Sequence, residues 1–359
     1  MALLVPALAA EMDGEAFPKI LRELSGAAYL SEFVVVLGRA GKNEFDRVRS
    51  LLEPLPMKNT VIWPEGPHLS TVLKEAEGFP DLGGPGKGRD VWIALGYLLA
   101  GDKLHSIGLH DADILTYTVE MPSRLLLPVS DPRLDFSFCK GYYARVTDRL
   151  NGRVTRLLVA PLVIVLKRMF SSSLLDLIES LRYPLAGEFA MTSELARQLP
   201  IPRNWGLEIG ILASVLRETG TKGICQSDIC ENYRHKHQEL SSSDAHKGLN
   251  RMAVEVAQTL LSEISFPDLN KGNLSDEFAQ EALGMIPRYR ADALANGLIY
   301  DVQKEKEAIE TFAGSIRKSL DNLERGVAVG PLPSWSSTEN LMPGFTDAIV
   351  EAVVKDNAS

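Results

Sequence analysis

Two aspartates one residue apart, Asp111 and Asp113 in His110-Asp111-Ala112-Asp113-Ile114, are the side chains best placed to do chemistry. They follow Leu104-His105-Ser106-Ile107-Gly108-Leu109, whose apolar residues read as a short buried strand. Both carboxylates therefore fall at or just past a strand end, where the ligands of open α/β sheets gather. The period of a strand aims the two to the same side, and two fixed negative charges there can hold a divalent cation against a diphosphate. Asp-x-Asp also arises in loops that cap a helix or solvate a turn, so its weight depends on what else the chain brings.

Other segments supply charge of the opposite sign. Leu82-Gly83-Gly84-Pro85-Gly86-Lys87-Gly88-Arg89 is a glycine-rich basic loop ahead of a helix with the apolar face Val91, Trp92, Leu95, Leu98 and Leu99. Free backbone N–H groups and Lys87 converge there, as an anion site requires. It is not a Walker A loop, because Gly88 stands where Ser or Thr must follow the lysine. A second candidate anion site is Tyr143 to Arg156, which concentrates arginine and threonine, including Arg153, Val154 and Thr155. Arginine offers a planar fork to phosphate or carboxylate and threonine a neutral donor; a solvated basic turn would have the same composition. Glu188 follows the turn Tyr183-Pro184-Leu185-Ala186-Gly187 as a buried-looking carboxylate. Glu208 falls in the first turn of an apolar helix, where it answers the macrodipole or binds sugar hydroxyls in a cleft. In Tyr233-Arg234-His235-Lys236-His237-Gln238 two histidines alternate beside basic residues. Cys225, Cys230, His235 and His237 lack the close Cys-x-x-Cys pair of structural zinc, so a metal shared with Asp113 is the better use of His235.

The elements that must position these groups form an α/β pattern. Phe33–Leu37 reads as the first strand, followed by the turn Gly38-Arg39-Ala40-Gly41-Lys42 and a helix through Phe45, Val48, Leu51 and Leu52. A second strand at Asn59–Trp63 and a helix from Leu69 to Ala76 repeat the unit, which predicts a largely parallel sheet. Phe136–Tyr143 and Gly223–Ile229 read as later strands. The opening Met1–Ala10 is apolar, has no basic region and is broken by Pro6. Residues 1–249 are expected to form the catalytic domain and 250–325 a helical extension packing on that domain or on a dimer mate. Residues 326–359 are expected to be a largely irregular tail, wandering through the Gly-, Pro- and Ser-rich Gly326–Pro343 and carrying a short amphipathic piece at Phe345–Val354. The extension carries an apolar stripe, Val302, Ile309, Phe312, Ile316, Leu320 and Leu323, that needs covering, which favours a homodimer.

Composition bounds the reading. The 359 residues are 45% hydrophobic and 24% charged, as in a globular protein with a sizeable core. A net charge of −9 argues against a general nucleic-acid binder. Three cysteines fit a reducing compartment, and no stretch is long and apolar enough to span a bilayer, so no membrane partner is expected and the location reads as cytoplasmic.

Asp-x-Asp is a mark of glycosyltransferases that use nucleotide sugars. Taken in order, Gly86-Lys87-Gly88, Asp111-Ala112-Asp113, Gly152-Arg153-Val154-Thr155, Pro184-Leu185-Ala186-Gly187-Glu188, Leu207-Glu208-Ile209-Gly210 and His235 resemble the glucosyl-3-phosphoglycerate synthases from about Phe33 to about Leu240. The resemblance implies a GT-A fold and retaining transfer of glucose from UDP-glucose to 3-phosphoglycerate, with Mg²⁺ or Mn²⁺ bound by Asp113 and His235. It also implies a donor site of Gly38, Arg39, Lys87, Asp111, Ala112, Asp113 and Glu208, and an acceptor site of Arg153, Val154, Thr155 and His237. Asp113, Lys87 and Glu208 would carry the chemistry. The family has a Pro-Ala-x-Asn-Glu-Glu-like turn after its first strand, where this reading places Gly38–Lys42. That departure keeps GDP-mannose and a mannosyl-3-phosphoglycerate product as an alternative. A sugar-phosphate nucleotidyltransferase, releasing pyrophosphate, and a non-catalytic nucleotide-sugar sensor are alternatives of other classes.

Overall fold

The computed structural model describes residues 1–76, 82–101, 103–231, 233–234, 248–264, 271–327 and 330–358. The first half runs β1 (Ala2–Leu8), α1 (Ala16–Leu24), β2 (Glu32–Gly38), α2 (Lys42–Leu52), β3 (Lys58–Ile62), α3 (Pro67–Glu75), α4 (Lys87–Leu99), β4 (Ser106–Leu109), α5 (Glu120–Ser130) and β5 (Phe138–Tyr143). A π-helical stretch, Val154–Val159, then leads into α6 (Ala160–Met169), α7 (Ser173–Ser180), β6 (Phe189–Thr192), α8 (Ser193–Gln198), α9 (Leu207–Thr219) and β7 (Ile224–Cys230). The chain ends with α10 (Gly248–Glu263), α11 (Lys271–Ala295), α12 (Val302–Glu324), α13 (Trp335–Leu341) and α14 (Phe345–Ala358).

Among the described residues the sheet has seven strands in the order β3-β2-β1-β4-β6-β5-β7. It is mixed: β6 runs antiparallel to β4 and β5, and the remaining pairs are parallel. The winding reverses between β1 and β4, so the crevice at their carboxyl ends is the switch point at which such sheets bind ligands. The antiparallel β6 is the departure from the expected parallel sheet.

The strand expected to be first is the second. Within Met1–Ala10, Ala2–Leu8 forms β1, paired with β2 from Ala2↔Glu32 to Leu8↔Gly38. Pro6 is tolerated for a reason that the residue pattern alone does not show. β4 pairs only with Ala2–Leu4, and the last bond on that side runs from the His110 N–H to the Leu4 carbonyl at 3.1 Å. Pro6, two residues on, faces the same side beyond the end of β4, where no ladder partner goes without its missing N–H.

Apolar side chains pack on both faces of the sheet, and a third cluster joins α6, α7 and α9 to α10, α11 and α12. Ile309, Phe312, Ile316 and Leu320 lie inside that third cluster at 0–3% exposure. The stripe on α12 is therefore covered within the chain and gives no ground for a second subunit.

The amphipathic piece expected at Phe345–Val354 is the helix α14, whereas the expectation of a wandering Gly326–Pro343 is corrected by α13, which is helical and docked. Trp335 is fully buried, stacks on Trp92 with ring centroids 4.1 Å apart and donates its indole N–H to the Trp92 carbonyl. Asp356 accepts the backbone N–H groups of His68 and Leu69, both at 3.0 Å, and so caps α3 from a distant part of the chain. Glycine, proline and serine mark the turns here, while one tryptophan supplies the burial that holds the segment down.

Candidate active site

Beyond Leu109 the chain leaves the sheet in a turn that carries Asp111, Ala112 and Asp113 past the carboxyl end of β4. Lys87, the first residue of α4, donates to Asp111 Oδ1 at 2.7 Å and reaches Glu208 Oε1, in the first turn of α9, at 3.5 Å. Burial alone would lower the pKa of this ammonium, but the facing Asp111 and Glu208 carboxylates, with Glu188 behind them, hold it above the ordinary lysine range. A permanent cation thus stands at the switch point, bracketed by two carboxylates that a diphosphate and a sugar could replace as partners.

A third carboxylate joins them. Glu11 lies just after β1, and its side chain accepts the Leu8 backbone N–H at 2.8 Å. Its pKa rises to about 7, chiefly through burial; the bond from Leu8 opposes this, Asp113 and Asp111 add to it, and Lys87 opposes. Glu11, Asp111 and Asp113 therefore crowd negative charge into one mouth. That donor set is hard oxygen, which fits Mg²⁺ or Mn²⁺. Among the described residues no three His, Cys, Asp or Glu side chains could enclose a metal by themselves. His235 and His237, expected at the metal and at the acceptor, lie outside the described residues, and so does any test of the zinc alternative that uses them.

Behind the mouth stands a buried clasp. Glu188 is fully buried and accepts the Tyr143 hydroxyl at 2.7 Å and the Tyr233 hydroxyl at 2.6 Å. The two tyrosine rings stack in parallel, 3.6 Å apart. Burial and then the nearby Asp111 push the Glu188 carboxyl up, against the two hydroxyl donors and Lys87. Gly187 lets this turn approach the donor carboxylate, since a Cβ there would run into Asp111. Lys140 on β5 pins the same turn by donating to the Ala186 carbonyl at 2.6 Å; burial lowers its pKa to about 8.

The same rings lead to the expected acceptor residues. Tyr143 packs on Tyr183, with centroids 5.2 Å apart, and Tyr183 accepts from Arg145 at 2.7 Å and lies against Gly152. Arg153, Val154 and Thr155 follow at the start of the π-helical stretch, a geometry often found at functional sites. Arg153 lies 3.8 Å from Glu305 on α12, and Arg156 is bonded to the same carboxylate at 2.9 Å. Thr155 Oγ1 is buried with no hydrogen-bond partner among the described residues. Gly38 and Arg39 lie at the carboxyl end of β2, with Arg39 at φ 56°.

The fold thus brings Lys87, Asp111 and Glu208 into direct contact and sets Asp113 beside them. Glu11, Tyr143, Lys140 and Tyr233 were not anticipated. Glu11 was legible once Ala2–Leu8 is read as a strand. Pro6-Ala7-Leu8-Ala9-Ala10-Glu11 then matches the first, second and last positions of the Pro-Ala-x-Asn-Glu-Glu-like turn, which corrects the placement of that turn at Gly38–Lys42.

A mixed sheet of this topology, with acidic residues at the switch point and a lysine set against them, is the GT-A fold. The chain belongs to the glucosyl-3-phosphoglycerate synthase family. It is 40% identical over its whole length to the glucosyl-3-phosphoglycerate synthase of Persephonella marina, covering 91% of that protein. It is 35% identical over 99% of its length to that of Methanococcoides burtonii, covering 90% of it. No family model matches the sequence. Among solved structures, the glucosyl-3-phosphoglycerate synthase of Mycobacterium tuberculosis in complex with Mn²⁺, UDP-glucose and phosphoglyceric acid superposes with a TM-score of 0.56 at 23% identity. That match covers 74% of this chain and 80% of the other. A complex of the same enzyme with Mg²⁺ and UDP gives 0.52. Among the described residues no helix is long and apolar enough to cross a membrane.

Proposed function

We propose that the protein transfers glucose from UDP-glucose to 3-phosphoglycerate with retention at the anomeric carbon and with a divalent cation, Mg²⁺ or Mn²⁺, as cofactor. The observation that carries this reading is the contact of Lys87 with Asp111 and Glu208, which joins three segments of the expected donor site at the switch point of the sheet. The M. tuberculosis complexes, holding Mn²⁺ with UDP-glucose and phosphoglyceric acid, or with UDP and glucosyl-3-phosphoglycerate, support it on the same fold.

In this reading Asp113, with His235, would hold the cation, whose chemistry is to neutralise charge on the departing diphosphate, and Asp111 would contact the nucleotide. Lys87 donates to a diphosphate oxygen and strengthens that bond as the anomeric C–O bond breaks. Glu208 orients the sugar through its hydroxyls. Arg153 and Thr155, with His237, bind the acid and phosphate of the acceptor and present its hydroxyl on the leaving-group face. Glu188 lies close by, but both of its oxygens are engaged by tyrosine hydroxyls, which argues against a covalent nucleophile. The relatives at 40% and 35% identity are glucosyl-3-phosphoglycerate synthases, which favours UDP-glucose over GDP-mannose. Residues 1–249 would form the catalytic unit, with 250–325 bracing the acceptor loop through Glu305.

The decisive experiment incubates purified protein with UDP-glucose, 3-phosphoglycerate and Mg²⁺ or Mn²⁺ and measures UDP release. Transfer abolished by EDTA and by Asp113→Ala is expected. Near-normal turnover of Asp113→Ala with EDTA present would overturn the metal assignment, and product from GDP-mannose but not from UDP-glucose would overturn the donor.

A further inference from the structure

Arg145 and Gly152 stand at the two feet of a short hairpin. The Asn151 N–H donates to the Arg145 carbonyl at 2.9 Å, Val146 bridges Leu150, and the Ile299 N–H ties down the tip by donating to the Asp148 carbonyl at 2.8 Å. Gly152 then turns the chain, at a left-handed φ of 72°, into Arg153, Val154 and Thr155. A Cβ built on Gly152 would sit 3.4 Å from the Tyr183 hydroxyl and 3.9 Å from Arg145 Cδ, so the Arg145 side chain lies against the entrance to the expected acceptor loop. Tyr183 in turn opens the segment that leads to Gly187, which lies against Asp111. Arg145 thus stands between the acceptor loop and the turn that touches the donor carboxylate.

The three arginines around this loop are not equally free to take an anion. Arg156 is fully engaged, donating to the two Glu305 oxygens at 2.9 and 3.2 Å and to the Leu150 and Asn151 carbonyls. Arg153 shares the same carboxylate at 3.8 Å. Among the described residues Arg145 pairs with no carboxylate. Its Nη1 donates to the Tyr183 hydroxyl at 2.7 Å, which fixes the plane of the group without neutralising it. Nε and Nη2 donate to nothing among the described residues, and neither is sealed from solvent in this half-buried side chain. Those two atoms form one edge of the guanidinium, the planar pair of donors that matches a carboxylate.

Resting on the acceptor reading above, we propose that Arg145 binds the carboxylate of the acceptor, so that the site selects a phosphorylated 2-hydroxy acid over the corresponding alcohol. In 3-phosphoglycerate the carboxylate is bonded to the carbon that bears the attacking hydroxyl. A fork fixed on that carboxylate, beside the turn that reaches Asp111, directs the hydroxyl toward the donor, and the phosphate at the other end of the molecule falls to Arg153 and Thr155. Arg145 supplies the whole positive charge that Arg153, shared with Glu305, does not. A charge-assisted bond of this kind implies a preference of about 10- to 100-fold for the acid.

Steady-state UDP release by the full-length protein with UDP-glucose and Mg²⁺ tests this, with 3-phosphoglycerate and glycerol 3-phosphate compared as acceptors. Glycerol 3-phosphate keeps the phosphate and the hydroxyl and carries a hydroxymethyl group in place of the carboxylate; if it is not turned over, its inhibition constant against 3-phosphoglycerate is read instead. The wild type is expected to favour 3-phosphoglycerate by about 10-fold or more. Arg145→Gln should lower kcat/KM for 3-phosphoglycerate by about 10- to 100-fold and leave glycerol 3-phosphate within about threefold, so that the preference collapses. Arg145→Lys should fall between the two, since it keeps the charge and loses the fork. Thermal melting checks that each variant folds. Either folded variant with the wild-type preference, whether both acceptors are untouched or both are lost in equal proportion, overturns the assignment and leaves the acceptor reading at Arg153 and Thr155 standing. A wild type that does not discriminate overturns it too. If the wild type transfers to neither acceptor, the acceptor reading falls with it.

Discussion

Replacing Lys87 by methionine keeps most of the side-chain volume and removes the ammonium that stands 2.7 Å from Asp111 and 3.5 Å from Glu208. The structural cost should be small. The Lys87 and Asp111 side chains are 29% and 31% exposed, and partly solvated pairs of this kind contribute about 0–1 kcal/mol. The catalytic cost should be larger, because the diphosphate gains negative charge as the glycosidic bond breaks and loses its fixed donor. Removing one such donor costs about 3–4 kcal/mol, or about 10²–10³ in kcat. Steady-state UDP release at saturating 3-phosphoglycerate, with a melting curve on the same preparation, separates the two effects. Lys87→Arg should recover part of the rate, since it keeps the charge but spreads it over a planar fork. A folded Lys87→Met enzyme within about threefold of wild-type kcat/KM would refute the assignment of leaving-group stabilisation to this residue.

Arg153→Ala should raise the KM for 3-phosphoglycerate by about 10-fold or more with little change in the KM for UDP-glucose, the loss of one charge-assisted bond; equal effects on both substrates would move Arg153 out of the acceptor site. Glu11 and Asp90 hold their protons up to about pH 7 in the fold, and Glu188 is raised in the same direction, whereas in the unfolded chain these groups ionise near 4. The native state therefore binds more protons between about pH 4 and 7, so these groups make stability fall as pH rises through that window. Glu188→Gln should flatten the decline in melting temperature of the ligand-free protein between pH 5 and 7.5, and an unchanged slope would show that Glu188 ionises normally. Phe312→Ser and Ile316→Ser remove side chains that are 0% exposed in the helical core and should each cost about 3–5 kcal/mol in denaturant unfolding without changing the mass in solution; a change in mass on light scattering would show that the stripe serves an interface.

The parts of this protein legible in its sequence were those with local chemistry. Asp111-x-Asp113 after a short apolar run, Lys87 after glycines and Glu208 at a helix start each announce an anion, a cation or a sugar by residue type. What the residue pattern could not supply was their meeting, since Lys87 and Glu208 are 121 residues apart and touch only because α4 and α9 both begin at the same crevice. The misreadings share one cause, a local rule overridden by a neighbour. Met1–Ala10 is weighed only as a targeting segment, and its strand stays unread because β4 stops at the register where Pro6 would need a partner. Gly, Pro and Ser argued for a loose tail until Trp335 was placed on Trp92.

Glu188 shows the same limit in the functional direction. Its place in Pro184-Leu185-Ala186-Gly187-Glu188, near the donor carboxylates, invites a catalytic role, and burial raises its pKa as a general acid would require. Two tyrosine hydroxyls at 2.7 and 2.6 Å occupy its oxygens, however, and one of them belongs to Tyr233, two residues before His235. A carboxyl so engaged is held in place by its two donors, and its charge state matters through the tyrosines it orients. The perturbed pKa therefore reports the cost of burying an anchor at the root of the segment that carries the expected metal ligand. In the same mouth Glu11, equally shifted, faces the aspartates themselves, so two carboxyls with similar pKa values belong to different layers of one site.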